Sequence, residues 1–186
     1  MAGQTDGTYR EMVEDYLLMV KRAVEACRAV APVRLLVVEG NHDRITSMML
    51  GLMLQQIYSA DPNVRVERQL DQGMVLVNYG ANTLAFLHGE HLRGNKGAQL
   101  WPAISALSRE KGAAVQPNIL SFSGHLHHER TEDLGGIIHH ILPALCPPDE
   151  YHRRGLWMGS REGAQAFVIR KSGGKSAVLY HQPGAA

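Results

Sequence analysis

Cysteine is scarce, with only Cys27 and Cys146 in 186 residues. Cys27 falls within a helical pattern and Cys146 stands before Pro147-Pro148, so no disulfide scaffold is indicated. A reducing, cytoplasmic compartment is the default expectation. An excess of one charge is also lacking, since 19 Lys and Arg stand against 18 Asp and Glu, for a formal net charge of +1. That balance makes no electrostatic case for a nucleic-acid partner, although a locally basic cleft is compatible with one. Nowhere do about 18 apolar residues run together, so no membrane span is expected. Met1 to Thr8 has neither a basic n-region nor an apolar h-region, and no signal peptide is expected. Internal repeats and low-complexity segments are absent from the sequence.

What is present suits one soluble domain with a real core, expected over residues 1–182, followed by a frayed tail at 183–186. Hydrophobic residues make up 45% and charged residues 20%, and the informative excess is ten histidines. The organising stretch is Arg34 to Arg44. Leu35 to Val38 read as a strand buried on both faces. Gly40 then allows a sharp turn, which delivers Asn41, His42 and Asp43. A strand that ends in ligand-type side chains is how an α/β protein places chemistry at the edge of its sheet.

The remaining elements follow from pattern. Thr8 and Glu11 have capping-box spacing before a helix from about Tyr9 to Val30, with Met12, Tyr16, Val20, Ala23 and Cys27 as its apolar stripe. Ile45 to Tyr58 is predicted as a second helix, apolar almost all round and therefore expected to be covered. Asp61-Pro62-Asn63 reads as a turn before a short edge strand at Val64 to Glu67. Met74–Asn78 and Thr83–Leu87 flank Tyr79-Gly80-Ala81-Asn82 as a hairpin. A third helix spans Lys96 to Lys111, with Pro102 either setting its start near Leu100 or kinking it. Strands are expected at Asn118–Phe122, Ile137–Leu142, Ala166–Arg170 and Ser176–Tyr180.

Three apolar runs end in polar signatures: Gly40-Asn41-His42-Asp43, Leu87-His88-Gly89 and Gly124-His125-Leu126-His127-His128. Any one of these histidines alone reads more readily as a surface turn residue. Three such loops in one chain point to a shared site. Imidazole and amide oxygen suit borderline cations such as Mn, Fe and Zn. The two rings of His125 and His127 need not face the same atom and could serve two metals about 3.5–4 Å apart. Neither cysteine lies in these loops, which disfavours a Cys-His mechanism.

The order strand-GNHD, strand-HG, strand-GHLH resembles the calcineurin-like metallophosphoesterases, including phage and repair-nuclease members. The resemblance implies an α/β fold, part of the family's two-sheet sandwich with flanking helices. It implies hydrolysis of a phosphomono- or phosphodiester by metal-activated water, with nucleic acid among the substrate classes. Asn41, His88 and His125 match the positions holding one metal, and His127 matches a ligand of the second. His42 matches the histidine that contacts phosphate and can protonate the leaving group. Asp43 is expected to cap the following helix. His128, His139 and His140 have no match, and His91 reads as an exposed loop residue. The family's first two signatures, Asp-x-His and Gly-Asp, are not in the chain, and no aspartate follows a glycine at the end of an apolar run. The first strands are therefore expected to be missing, the metal cluster to be poor in carboxylate, and the strand at Leu35 to be prone to self-association. A degenerate member that binds one metal or a phosphorylated ligand without turnover is the alternative. A structural, histidine-rich α/β domain is a third reading.

Overall fold

The computed structural model describes residues 7–68, 73–146, 159 and 161–183. The Pro147-Pro148 pair that follows Cys146 and the tail beyond Pro183 lie outside them. The chain divides into two compact units, residues 1–73 and 74–186, and each is described by itself.

The amino-terminal unit begins with α1 (Tyr9–Arg28), closed at its start by the complete capping box. The Thr8 side chain accepts from the Glu11 N–H at 3.3 Å, and the Thr8 N–H donates to the Glu11 carboxylate at 2.7 Å. Strand β1 (Val33–Val37) pairs in parallel with β2 (Val64–Arg68), joined through α2 (Arg44–Ile57). The Asp61 turn is present, with the Asn63 N–H on the Asp61 carboxylate at 2.8 Å. Val24, Leu50, Leu54, Tyr58 and Val64 form the core, flanked by Leu17, Val20, Val33, Leu35, Val37 and Val66.

Three expectations about this unit need correction. The face of α1 turned inward is Leu17, Val20 and Val24, whereas Met12 and Tyr16 of the expected stripe are exposed. Both stripes satisfy helical spacing, and packing chose between them. Strand β1 is half-buried rather than buried on both faces. Helix α2 buries only Ser47, Leu50, Gly51 and Leu54, and leaves Met49 and Leu52 about half exposed at 52% and 47%. A two-stranded sheet is too narrow to cover more than one stripe of a helix apolar all round.

The carboxy-terminal unit is a five-stranded mixed sheet in the order β3-β4-β5-β7-β6. Its strands are β3 (Val75–Tyr79), β4 (Asn82–Leu87), β5 (Asn118–Ser123), β6 (Arg130–Asp133) and β7 (Ile137–Ile141). The central three, β4, β5 and β7, run parallel, while β3 and β6 pair antiparallel at the edges. Helix α3 (Lys96–Glu110) covers one face, burying Leu100, Ile104 and Leu107 against Leu76, Ala85, Ile119 and Ile137. The antiparallel hairpin β8 (Ala164–Ile169) and β9 (Lys175–His181) covers the other, where Phe167 and Ile169 pack on Leu84, Leu120 and Phe122. The protein is thus mixed α/β, with helix, sheet and hairpin layered in this unit.

Pro102 neither starts nor ends α3, which runs from an Asn95 cap with Pro102 inside it. The loss of one backbone hydrogen bond is offset by the buried Leu100, Ile104 and Leu107, since packing supplies most helix stability in a folded protein. Asn82, fully buried, ties the sheet to the hairpin. Its amide donates to the carbonyls of Tyr79 and Arg170 at 2.8 and 2.9 Å and accepts from the Gly174 N–H at 2.7 Å.

Candidate functional site

Strand register places the two principal loops side by side. Leu87 of β4 is directly opposite Ser123 of β5 in a parallel pair, so the residues that follow, His88 and Gly124, leave the sheet together. The Gly124 N–H donates to the His88 carbonyl at 3.0 Å and continues the ladder beyond the strands. The carboxyl ends of parallel strands are where α/β sheets bind ligands.

Gly89 is required by its surroundings. Its φ is +103°, and an added Cβ would lie 2.9 Å from the Ser123 Cβ. A hydrogen-bonded turn follows, with the Leu92 N–H donating to the Gly89 carbonyl at 3.1 Å and Leu92 packing into the core. On the neighbouring loop, the Leu126 N–H donates to the Gly124 carbonyl at 2.8 Å, which closes a three-residue turn with His125 at its centre. With φ +66° at His125, this is the rare, strained form of the γ-turn. His127 is also left-handed, at φ +53°. Two non-glycine residues in that region within one short loop are uncommon, and such strain gathers at functional sites.

These two turns bring the rings of His88 and His125 into an edge-to-face arrangement with centroids 5.0 Å apart. His127 lies on the same loop, partly buried. Asn41 and His42 lie in the amino-terminal unit, exposed in the turn between β1 and α2. Asp43 stands at the N-cap of α2, but its side chain makes no capping hydrogen bond. It accepts instead from the Gly40 N–H at 2.7 Å, which corrects the expected cap and makes Asp43 the brace of the glycine turn. His91 is exposed, as expected, and its Nε2 lies 3.1 Å from the Glu90 carboxylate.

Glu90, which the sequence reading does not single out, follows Gly89 at the end of an apolar run, and that position is its signal in the sequence. Its carboxylate approaches His88 Nε2 at 3.8 Å.

Beneath the loops, His139 of β7 is fully buried and held between two serines. Its Nδ1 lies 3.1 Å from Ser121 Oγ, and its Nε2 lies 3.3 Å from Ser123 Oγ. Burial, with a smaller contribution from Lys96, lowers its pKa to about 4. His140 faces the opposite side of the sheet, between Phe122 and Phe167, with Nδ1 at 2.9 Å from Thr131 Oγ1. Burial likewise lowers it to about 4. Both are core histidines of the sheet, a role that spacing alone could not distinguish from ligation.

The implied occupant is a borderline divalent cation, and the donors fit it in kind. Two imidazoles meet edge to face and a carboxylate adjoins one of them. They fall short in number, because among the described residues no three His, Cys, Asp or Glu side chains converge to hold a metal ion.

No protein-family model matches the chain, and neither does any curated protein. Among solved structures it is similar to a conserved uncharacterized protein from Streptococcus pneumoniae TIGR4, described as a predicted phosphoesterase. That similarity covers 80% of this chain and 95% of the other, at 10% identity and a TM-score of 0.31. A likeness that loose carries no argument about activity.

Proposed function

We propose that the protein is a phosphoester hydrolase of calcineurin-like type, with its reactive edge at the His88 and His125 loops. The observation that carries this reading is the 5.0 Å approach of those two rings at the carboxyl ends of paired parallel strands. Its support in sequence is the order of the three signatures. A bound Mn, Fe or Zn would supply charge neutralisation at the phosphate and a more acidic water. His88 and His125 are the ligands proposed in this unit, with His127 toward a second ion. Asn41 and His42, as residues of the amino-terminal unit, enter the proposal through their signature alone, as ligand and as proton donor to the leaving oxygen. The proposed substrate is a phosphomono- or phosphodiester, with nucleic acid as one candidate.

The alternative is a binder of one metal ion or a phosphorylated ligand without turnover. The shortage of converging donors favours it in this conformation. Equilibrium dialysis with Mn and hydrolysis of bis-p-nitrophenyl phosphate, on wild type and on a His88→Ala/His125→Ala variant, separate the two. The hydrolase and the metal-binding form of the alternative both expect Mn binding that the variant loses. Turnover abolished by His42→Ala supports the hydrolase, and binding with background turnover supports the binder. Equal Mn binding by wild type and the double variant removes the hydrolase and the metal-binding form of the alternative.

A further inference from the structure

Helix α2 carries more apolar surface than its own unit covers. Ser47, Leu50, Gly51 and Leu54 face the core, and Ile45, Met49 and Leu52 make the opposite ridge at helical spacing. Met48 flanks that ridge on one side, and Met53 and Ile57 flank it on the other, where Thr46 meets α1. Tyr9 of α1 extends the surface, with its hydroxyl 2.7 Å from Thr46 Oγ1. These seven residues are between 38% and 72% exposed. From Ile45 to Ile57 the helix has no ionisable side chain. A helix at the surface of a lone domain normally turns charged and polar residues outward. Methionine enrichment and depletion of charge are instead the composition of an interface centre.

We propose that the outer ridge of α2 is the contact between two copies of this chain, paired about a two-fold axis. A two-fold axis brings the same patch of each copy together, so the patch must suit itself. A ridge without charge does so, because no like charges meet to oppose the pairing. A highly charged partner, nucleic acid included, finds no counter-charge on it. An axis that crosses the helices sets them antiparallel, with the positive amino end of each beside the negative carboxyl end of the other. Methionine side chains are flexible enough to fill the gaps between two such ridges. At on the order of 200 Å² for a whole side chain of this size, the seven residues expose about 700 Å². A stable pair needs about 800 Å² from each partner, so the patch has the right size. The inference does not depend on the hydrolase reading. It is also distinct from pairing at strand edges, since α2 packs over a face of the β1–β2 sheet.

The whole chain is compared with its Met49→Lys/Leu52→Lys variant by sedimentation equilibrium over a range of concentrations. Wild type is expected to reach twice the chain mass of 20.5 kDa and no more. The variant buries two unpaired charges in the contact and is expected to dissociate at least about 100-fold more readily. Its circular dichroism should match wild type, because Met49 and Leu52 lie outside the core. Methionine methyl spectra of wild type, assigned by Met→Leu substitution, give a second readout. The signals of Met48, Met49 and Met53 should shift on dilution together with the fall in mass. A wild type that stays at the chain mass overturns the inference, as does a mass that grows without limit. A two-chain species that the folded variant retains also overturns it, since another surface then holds the pair. Should the variant fail to fold, the wild-type methyl signals decide, and signals that do not move as the pair dissociates overturn the inference.

Discussion

Gly89 shows how much of the site rests on single residues. Two costs meet there, a left-handed φ and a contact that leaves no room for a methyl group. Gly94 has a similarly positive φ of +53°, with nothing within 4 Å of an added Cβ. Gly94→Ala is therefore expected to lose only the conformational part, about 1–2 kcal/mol. Gly89→Ala should lose more, since the backbone must also move away from Ser123, displacing His88 with it. Urea unfolding of both variants checks the ordering, and equal losses would mean that the Ser123 contact yields freely. At this scale the sequence was informative about which residues matter and poor at saying what they do. The glycine beside His88 was visible, as was the Gly-Asn-His-Asp turn. That Asp43 braces Gly40 rather than the helix depends on a side-chain direction that spacing does not encode.

Strand β7 carries a different kind of information. His139 and His140 alternate across the sheet, one toward α3 and the other toward the β8–β9 hairpin. Both are buried with pKa values lowered to about 4 from an ordinary 6.5. The groups facing His139 are Lys96 from α3 and Glu132 from β6; those facing His140 are Lys175 from β9 and Glu129 ahead of β6, with His139 beside it. A histidine whose folded pKa is depressed contributes stability that is complete above its unfolded value. That stability is lost as the pH falls through the folded one. The melting temperature is therefore expected to decline between pH 6.5 and about 4, beyond what the carboxylates contribute. His140 Nε2 is buried without a hydrogen-bond partner, so His140→Leu removes an unsatisfied atom as well as a titrating group. Calorimetry across this range should show a shallower acid-side slope for His140→Leu, and an unchanged slope would place the titration elsewhere. As elements, the strands and helices were largely legible, because hydrophobic period and turn residues act locally. The predicted span of α3 holds with Pro102 inside it rather than at its start, because the packing that keeps the helix continuous comes from a sheet distant in sequence.

At the scale of the whole molecule, among the described residues β1 and β2 pair only with each other. Each strand of such a pair keeps one edge able to accept another chain. Self-association in solution is accordingly the expectation, to be checked by light scattering behind a sizing column. A clean species at the chain mass of 20.5 kDa would count against it. No helix among the described residues is long and apolar enough to cross a membrane. The sequence by itself determined the α/β class, most of the elements and the loops that carry histidine, since these depend on period, punctuation and residue chemistry along the chain; the edge strand β6, in a segment that reads as a loop, appeared only through its pairing with β7. Only the tertiary structure decided which stripe of α1 faces inward, which side of α2 stays exposed, and that His139 and His140 are core residues. It also decided that Glu90 stands beside His88. Each of these turns on which surface a side chain meets, and that is settled by pairing register and packing between segments far apart in the chain.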